Sequence, residues 1–125
     1  MAQLFNGSYP WSPIMSNKII YIAKDYSETP AGRYKTDGNF SGERFREEFL
    51  YPALKENELV EVNLDEALGY GSSFLEEAFG GLIREDGLHL SEIKNKLKVI
   101  SSRALYKNRI WKYLEDAALE KNKTN

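Results

Sequence analysis

The sequence predicts a small α/β fold, a mixed or mainly parallel sheet covered by helices. Three observations carry this: short apolar runs near residues 19–23, 59–64 and 97–101, segments of helical period between and after them, and turn residues at the junctions. Strands separated by helices need crossover connections, which place helices on the faces of a sheet. With 125 residues, 42% hydrophobic content, eight Tyr, six Phe and two Trp, the chain suffices for one domain with a real core.

The elements follow in order. Residues 1–17 hold Gly7, Pro10 and Pro13 with Phe5, Tyr9 and Trp11 between them, predicting an extended lead-in whose aromatics pack on a domain spanning 18–120. Ile19 to Ala23 is a nearly continuous apolar run, as expected of a central strand buried on both faces. Residues 25–42 are rich in turn formers and read equally as a loop or a short hairpin. Ser41 should cap a helix carrying Phe45, Phe49, Ala53 and Leu54, with Glu43 in its first turn and a bend or break near Tyr51 because of Pro52. A second strand covers Leu59 to Leu64.

The stretch LDEALGYGSSFLEEAFGGLIR (64–84) is the most informative. It reads as a strand end, a Gly-Ser turn in which Ser72 or Ser73 caps a helix, and an apolar stripe of Phe74, Ala78, Phe79 and Leu82 that leaves Glu76, Glu77 and Arg84 wet. A turn at Asp86-Gly87, a short helix capped by Ser91 and a third strand at Leu97 to Ser101 come next. Ser102 then caps a last helix with Leu105, Ile110, Trp111, Leu114 and Ala118 on its apolar side, and residues 121–125 read as a frayed tail.

Seventeen basic and nineteen acidic side chains give a charge of −2, so no overall nucleic-acid or anionic-membrane footprint is present. No apolar run approaches about 18 residues and the first residues lack a basic start, which argues against a spanning helix and a secretory signal. The absence of cysteine removes disulfides and thiolate chemistry and makes the cytoplasm the expected compartment. His89 is the sole histidine, so it reads as a surface residue rather than a zinc or triad member, and no metal or cofactor is expected. With no lysine-bearing phosphate loop and few placed carboxylates, a catalytic role is the least expected class.

The runs IIYIAKDYSETPAGRY, SGERFREEFLYPAL, VEVNLD and GYGSSFLEEAFGGLIR together resemble the STAS-like family of unknown function, small bacterial domains akin to the sulfate-transporter and anti-sigma-factor-antagonist fold. That resemblance implies a regulatory protein-protein interaction domain. In the antagonists a serine in an Asp-Ser-Ser-Gly turn is phosphorylated by a partner kinase; here Ser72 and Ser73 stand at the serine pair, with Gly71 at the acidic position and Phe74 at the glycine. The partner implied is a histidine-kinase-like ATPase. The expected docking surface comprises Arg33, Ser41, Arg44, Arg46, Tyr70, Gly71, Ser72, Ser73 and Glu76, with the arginines as donors to an acidic partner or a phosphate. Two alternatives stand beside it: a nucleic-acid-binding module using Lys107, Arg109 and Lys112 of the basic last helix, and a mobile-element-encoded inhibitor of a host protein.

Overall fold

The computed structural model describes residues 16–123. The lead-in expected over the first residues, with its packed aromatics, lies outside the described residues apart from Ser16 and Asn17. Among the described residues three strands, β1 (Asn17–Tyr21), β2 (Leu59–Asn63) and β3 (Leu97–Ile100), form one open sheet in the order β1-β2-β3, and both pairings are parallel. The register aligns Ile20, Val62 and Val99 in one row and Val60 with Leu97 in another, and all five side chains are buried. This is the inner face. Ile19, Glu61 and Lys98 form an alternate row on the outer face, where Ile19 is 47% exposed.

Helix α1 occupies residues 42–56, helix α2 residues 72–84, helix α3 Leu90–Lys96 and helix α4 Ala104–Lys123. Their apolar sides join the buried residues of the sheet in one core through Phe45, Leu50 and Leu54 of α1, Phe74, Phe79 and Leu82 of α2, Ile93 of α3, and Ile110 and Leu114 of α4. The α2 stripe predicted from spacing is thus wholly buried. Among the described residues no helix is long and apolar enough to cross a membrane.

Several local expectations are corrected. Among the described residues the first strand lies at the edge of the sheet, and it stops at Tyr21, because Ile22 begins a short π-helical turn, Ile22–Tyr26, and turns its own side chain into the core. A continuous apolar run is what a central strand and an edge strand feeding a buried turn both look like. Residues 27–41 form a loop with one 3₁₀ turn, Lys35–Asp37, and no strand. Pro52 does not break α1: the π-helical segment Arg46–Leu50 precedes it, with the Tyr51 N–H bonded to the Arg46 carbonyl five residues back, and this widened turn takes up the misfit of the ring.

The caps differ as well. Ser41 does cap α1, its Oγ accepting from the Arg44 N–H at 3.1 Å. Gly71, however, is the cap residue of α2, so Ser72 and Ser73 lie inside the first turn and neither caps it. His89 rather than Ser91 holds the cap position of α3, its N–H donating to Glu92 Oε1 at 2.9 Å. Ser102 donates its N–H and hydroxyl to Asp65 instead of capping α4, and α4 continues to Lys123 through much of the expected tail.

Phe79 is fully buried where α2 faces α4. Phe79→Ala should lower unfolding free energy by about 3–5 kcal/mol. A denaturant titration reading a midpoint near wild type would mean that the α2 stripe does not form the core.

Candidate functional site

The segment from Leu64 to Gly71 links the end of β2 to α2 and is tied to both flanking connections. Asp65 Oδ1 accepts from Ser102 N and Oγ at 2.8 and 2.9 Å, which joins it to the β3–α4 connection. The Leu68 N–H donates to Glu28 O at 2.9 Å, which joins it to the β1–α1 loop. Tyr70 is buried, donates its hydroxyl to Leu64 O at 2.7 Å and its N–H to Tyr106 at 3.3 Å. Burial, helped by the nearby Asp65 charge, pushes the Tyr70 phenol up, so it remains a donor at any ordinary pH. Glu66 sits at φ 78°, a left-handed conformation unusual for a non-glycine residue. The loop therefore delivers Gly71, Ser72 and Ser73 to one defined place, and all three are exposed there. Among the described residues neither serine hydroxyl has a hydrogen-bond partner.

The helix behind this turn is held by charges taken out of water. Arg46 of α1 is 2% exposed, and its Nη1 donates to Glu77 Oε2 at 2.6 Å and to Glu77 O at 2.7 Å. Its Nε stands 3.0 Å from Asp86 Oδ2 just beyond α2, an ion pair without hydrogen-bond alignment. Glu77 Oε1 also meets Arg84 at 3.2 Å and Arg33 at 3.4 Å, while Arg33 and Arg84 both pair with Glu76. Burial alone would raise the Glu76 carboxyl, yet hydrogen bonds from Arg84 and Arg33 outweigh it and hold the group below its usual range. At Asp86 the balance is reversed: burial raises the carboxyl and Arg46 only partly offsets it.

Two glycines let this arrangement close. A Cβ at Gly42 would run into the Phe74 carbonyl and the Ala78 amide of α2, and one at Gly81 would run into the Arg46 guanidinium. Backbone approach and buried ion pair thus occur at the same helix contact.

The residues expected to form one docking surface divide. Arg46, Ser41 and Tyr70 are buried and engaged internally, which corrects their expected outward placement: Arg46 is committed to Glu77, Ser41 to the α1 cap and Tyr70 to Leu64. Arg33 and Glu76 are half-buried partners of one another. Arg44 is on the surface, where it pairs with Glu48 at 3.1 Å, donates to Asn39 O and lies over the Phe40 ring. Gly71, Ser72 and Ser73 are the members left to solvent without such engagements. Glu77, expected to be wet, is 3% exposed. Its position was readable, since at about 100° per residue it lies closer to Phe74 around the helix than Glu76 does.

Lys107, Arg109 and Lys112 are all exposed on α4, but Lys107 and Arg109 point to nearly opposite sides of the helix and Lys112 pairs with Asp116. Sequence reasoning also passed over Leu68, 84% exposed beside the serine turn, and Tyr26, whose ring touches Phe40, Phe45 and Phe49 while its hydroxyl donates to Ser41 O.

The family model for the STAS-like domain of unknown function (DUF4325) matches residues 41–104, just over half of the chain, from the α1 cap to the start of α4. No curated protein and no solved structure matches the chain.

Arg46→Ala should cost about 3–5 kcal/mol, because it leaves the Glu77 carboxylate buried without its closest cation. Arg46→Met with Glu77→Leu should recover most of that loss in thermal or denaturant unfolding. The pH dependence has a definite sign at Glu76. Its folded carboxyl titrates below the ordinary 4.5, so its contribution is complete above that value and disappears as pH falls through the lowered range. The stability difference between wild type and Glu76→Gln, followed by melting temperature, should therefore be present at pH 7 and vanish in acid.

Proposed function

We propose that this chain, which belongs to the STAS-like domain family of unknown function, is a non-catalytic regulatory module that docks a protein partner through the 71–73 turn and is switched by phosphate on Ser72 or Ser73. The observation that carries this reading is a pair of exposed serine hydroxyls without internal partners, on a turn whose surroundings are rigidly tied. Leu68, on the same loop, supplies apolar contact area beside them. The partner class is a histidine-kinase-like ATPase, as the resemblance to the antagonists implies.

The chemistry is consistent with the fold. In the modifying step the serine oxygen takes the γ-phosphoryl group of ATP, ADP leaves and the hydroxyl proton is released. The product adds about −1.5 to −2 charge in the first turn of α2, where the helix dipole tolerates an anion. Folding is then little disturbed, whereas an acidic or apolar docking surface meeting the same charge pays repulsion and desolvation.

The test is capture from the source cell, with co-purifying proteins and serine phosphate both read by mass spectrometry. Wild type and the Ser72→Ala, Ser73→Ala chain should retain an ATPase in stoichiometric amount. Ser72→Asp and Ser73→Asp should weaken its binding by about tenfold or more without changing the melting temperature. Binding indifferent to both aspartates removes this face from the reading.

A further inference from the structure

Ser73 heads a charged stripe on α2. Glu76 and Glu77 stand three and four positions after it, spacings that make side chains neighbours on a helix surface with Cβ atoms about 5–6 Å apart. Ser72 has that relation to Glu76 alone. Arg33 is the side chain that joins the two carboxylates from outside the helix, its Nη1 pairing with Glu76 Oε1 and standing 3.4 Å from Glu77 Oε1. The guanidinium is thereby placed over the turn that Ser73 begins.

Both carboxylates are provided for without it. Arg84 donates to the two Glu76 oxygens at 2.8 and 3.2 Å, and Arg46 donates to Glu77 Oε2 at 2.6 Å. Arg46 is sealed in the core, whereas the Arg33 side chain is 30% exposed, and among the described residues its Nε and Nη2 have no hydrogen-bond partner. An open guanidinium edge of that kind meets a phosphate with two parallel N–H···O bonds. The side chain also starts from a fixed point. The Arg33 N–H donates to Asp37 Oδ2 at 3.2 Å, and its carbonyl accepts from the Glu43 N–H at 3.0 Å.

We propose that Ser73 is the serine whose phosphate this fold receives and that Arg33 receives it through its open Nε and Nη2. The inference rests on the reading of the 71–73 turn as a phosphate switch, and it names the serine and the contact within that switch. Arg84 and Arg46 stay on Glu76 and Glu77, which limits the repulsion those carboxylates exert on the phosphate. Modification then fastens the 27–41 loop to the start of α2 and changes the surface beside the serines.

The full chain synthesised with phosphate already on Ser73, or on Ser72, tests this without kinase or partner. A guanidinium beside a phosphate favours its dianion, so phosphorus NMR should show the Ser73 phosphate losing its last proton at a pH lower by about half a unit or more than in the same chain carrying Arg33→Ala. Arg33→Lys, which keeps the charge and an ion partner for Glu76 but not the fork, should recover part of that difference. The Ser72 phosphate should respond far less to either substitution. A Ser73 phosphate that titrates alike in the unsubstituted, Arg33→Lys and Arg33→Ala chains would overturn the proposal, as would an equal response from Ser72. Failed capture of a partner leaves this titration unaffected, so the docking reading and the Arg33 contact fail separately.

Discussion

The contact on which the rest of the architecture depends is the buried pairing of Arg46 with Glu77 between α1 and α2. A guanidinium and a carboxylate removed from water are tolerated only when their geometry is good and their remaining donors and acceptors are engaged. Here Arg46 Nη1 donates to both a side chain and a carbonyl of Glu77, its Nε has only the charge of Asp86 beside it without a hydrogen bond, and Arg84 and Arg33 complete the carboxylate. The pair contributes specificity above all. Apolar helices can slide in several registers against a sheet, but only one register brings Arg46 to Glu77 while Gly42 meets Phe74 and Gly81 meets the guanidinium.

This accounts for most of the two sequence runs that carried the family resemblance. In SGERFR, Ser41 caps, Gly42 permits contact, Phe45 enters the core and Arg46 supplies the buried cation. In GSSFLEEAFGG, Phe74, Ala78 and Phe79 are core, Glu76 and Glu77 are ion partners and Gly81 makes room. Ser72 and Ser73 are the exception: the fold makes no use of their hydroxyls among the described residues. A residue whose side chain is not spent on structure is free to be recognised, and the hydrogen bonds of Asp65, Leu68 and Tyr70 set the course of the loop that leads to these two.

Much of the candidate site was legible because turns and stripes are local. Gly71 before two serines and Phe74 marked the start of a helix, and the spacing of Phe74, Ala78 and Phe79 marked its buried side. What misled was the identity of charged residues. An arginine near a helix start suggests a surface donor, yet Arg46 lies one position after the core residue Phe45 and needs only one nearby carboxylate to be buried. Ser41 caps as its spacing suggested, whereas Ser102 is tied by its N–H and hydroxyl to Asp65, a residue far away in sequence.

The sequence by itself determined the α/β class, the kind of the main elements and most of the apolar side of each helix, because these follow from periods of two and 3.6 residues along a single segment, while Leu105, expected on the apolar side of α4, is exposed. Only the tertiary structure decided that β1 lies at the edge of the sheet among the described residues, that α1 passes through Pro52, and that Arg46 and Glu77 are inside while Ser72 and Ser73 are outside. Each of those outcomes belongs to a pair of elements rather than to one. Strand order depends on which neighbours form hydrogen bonds, and a charge is buried only where a second element brings its counter-charge within reach.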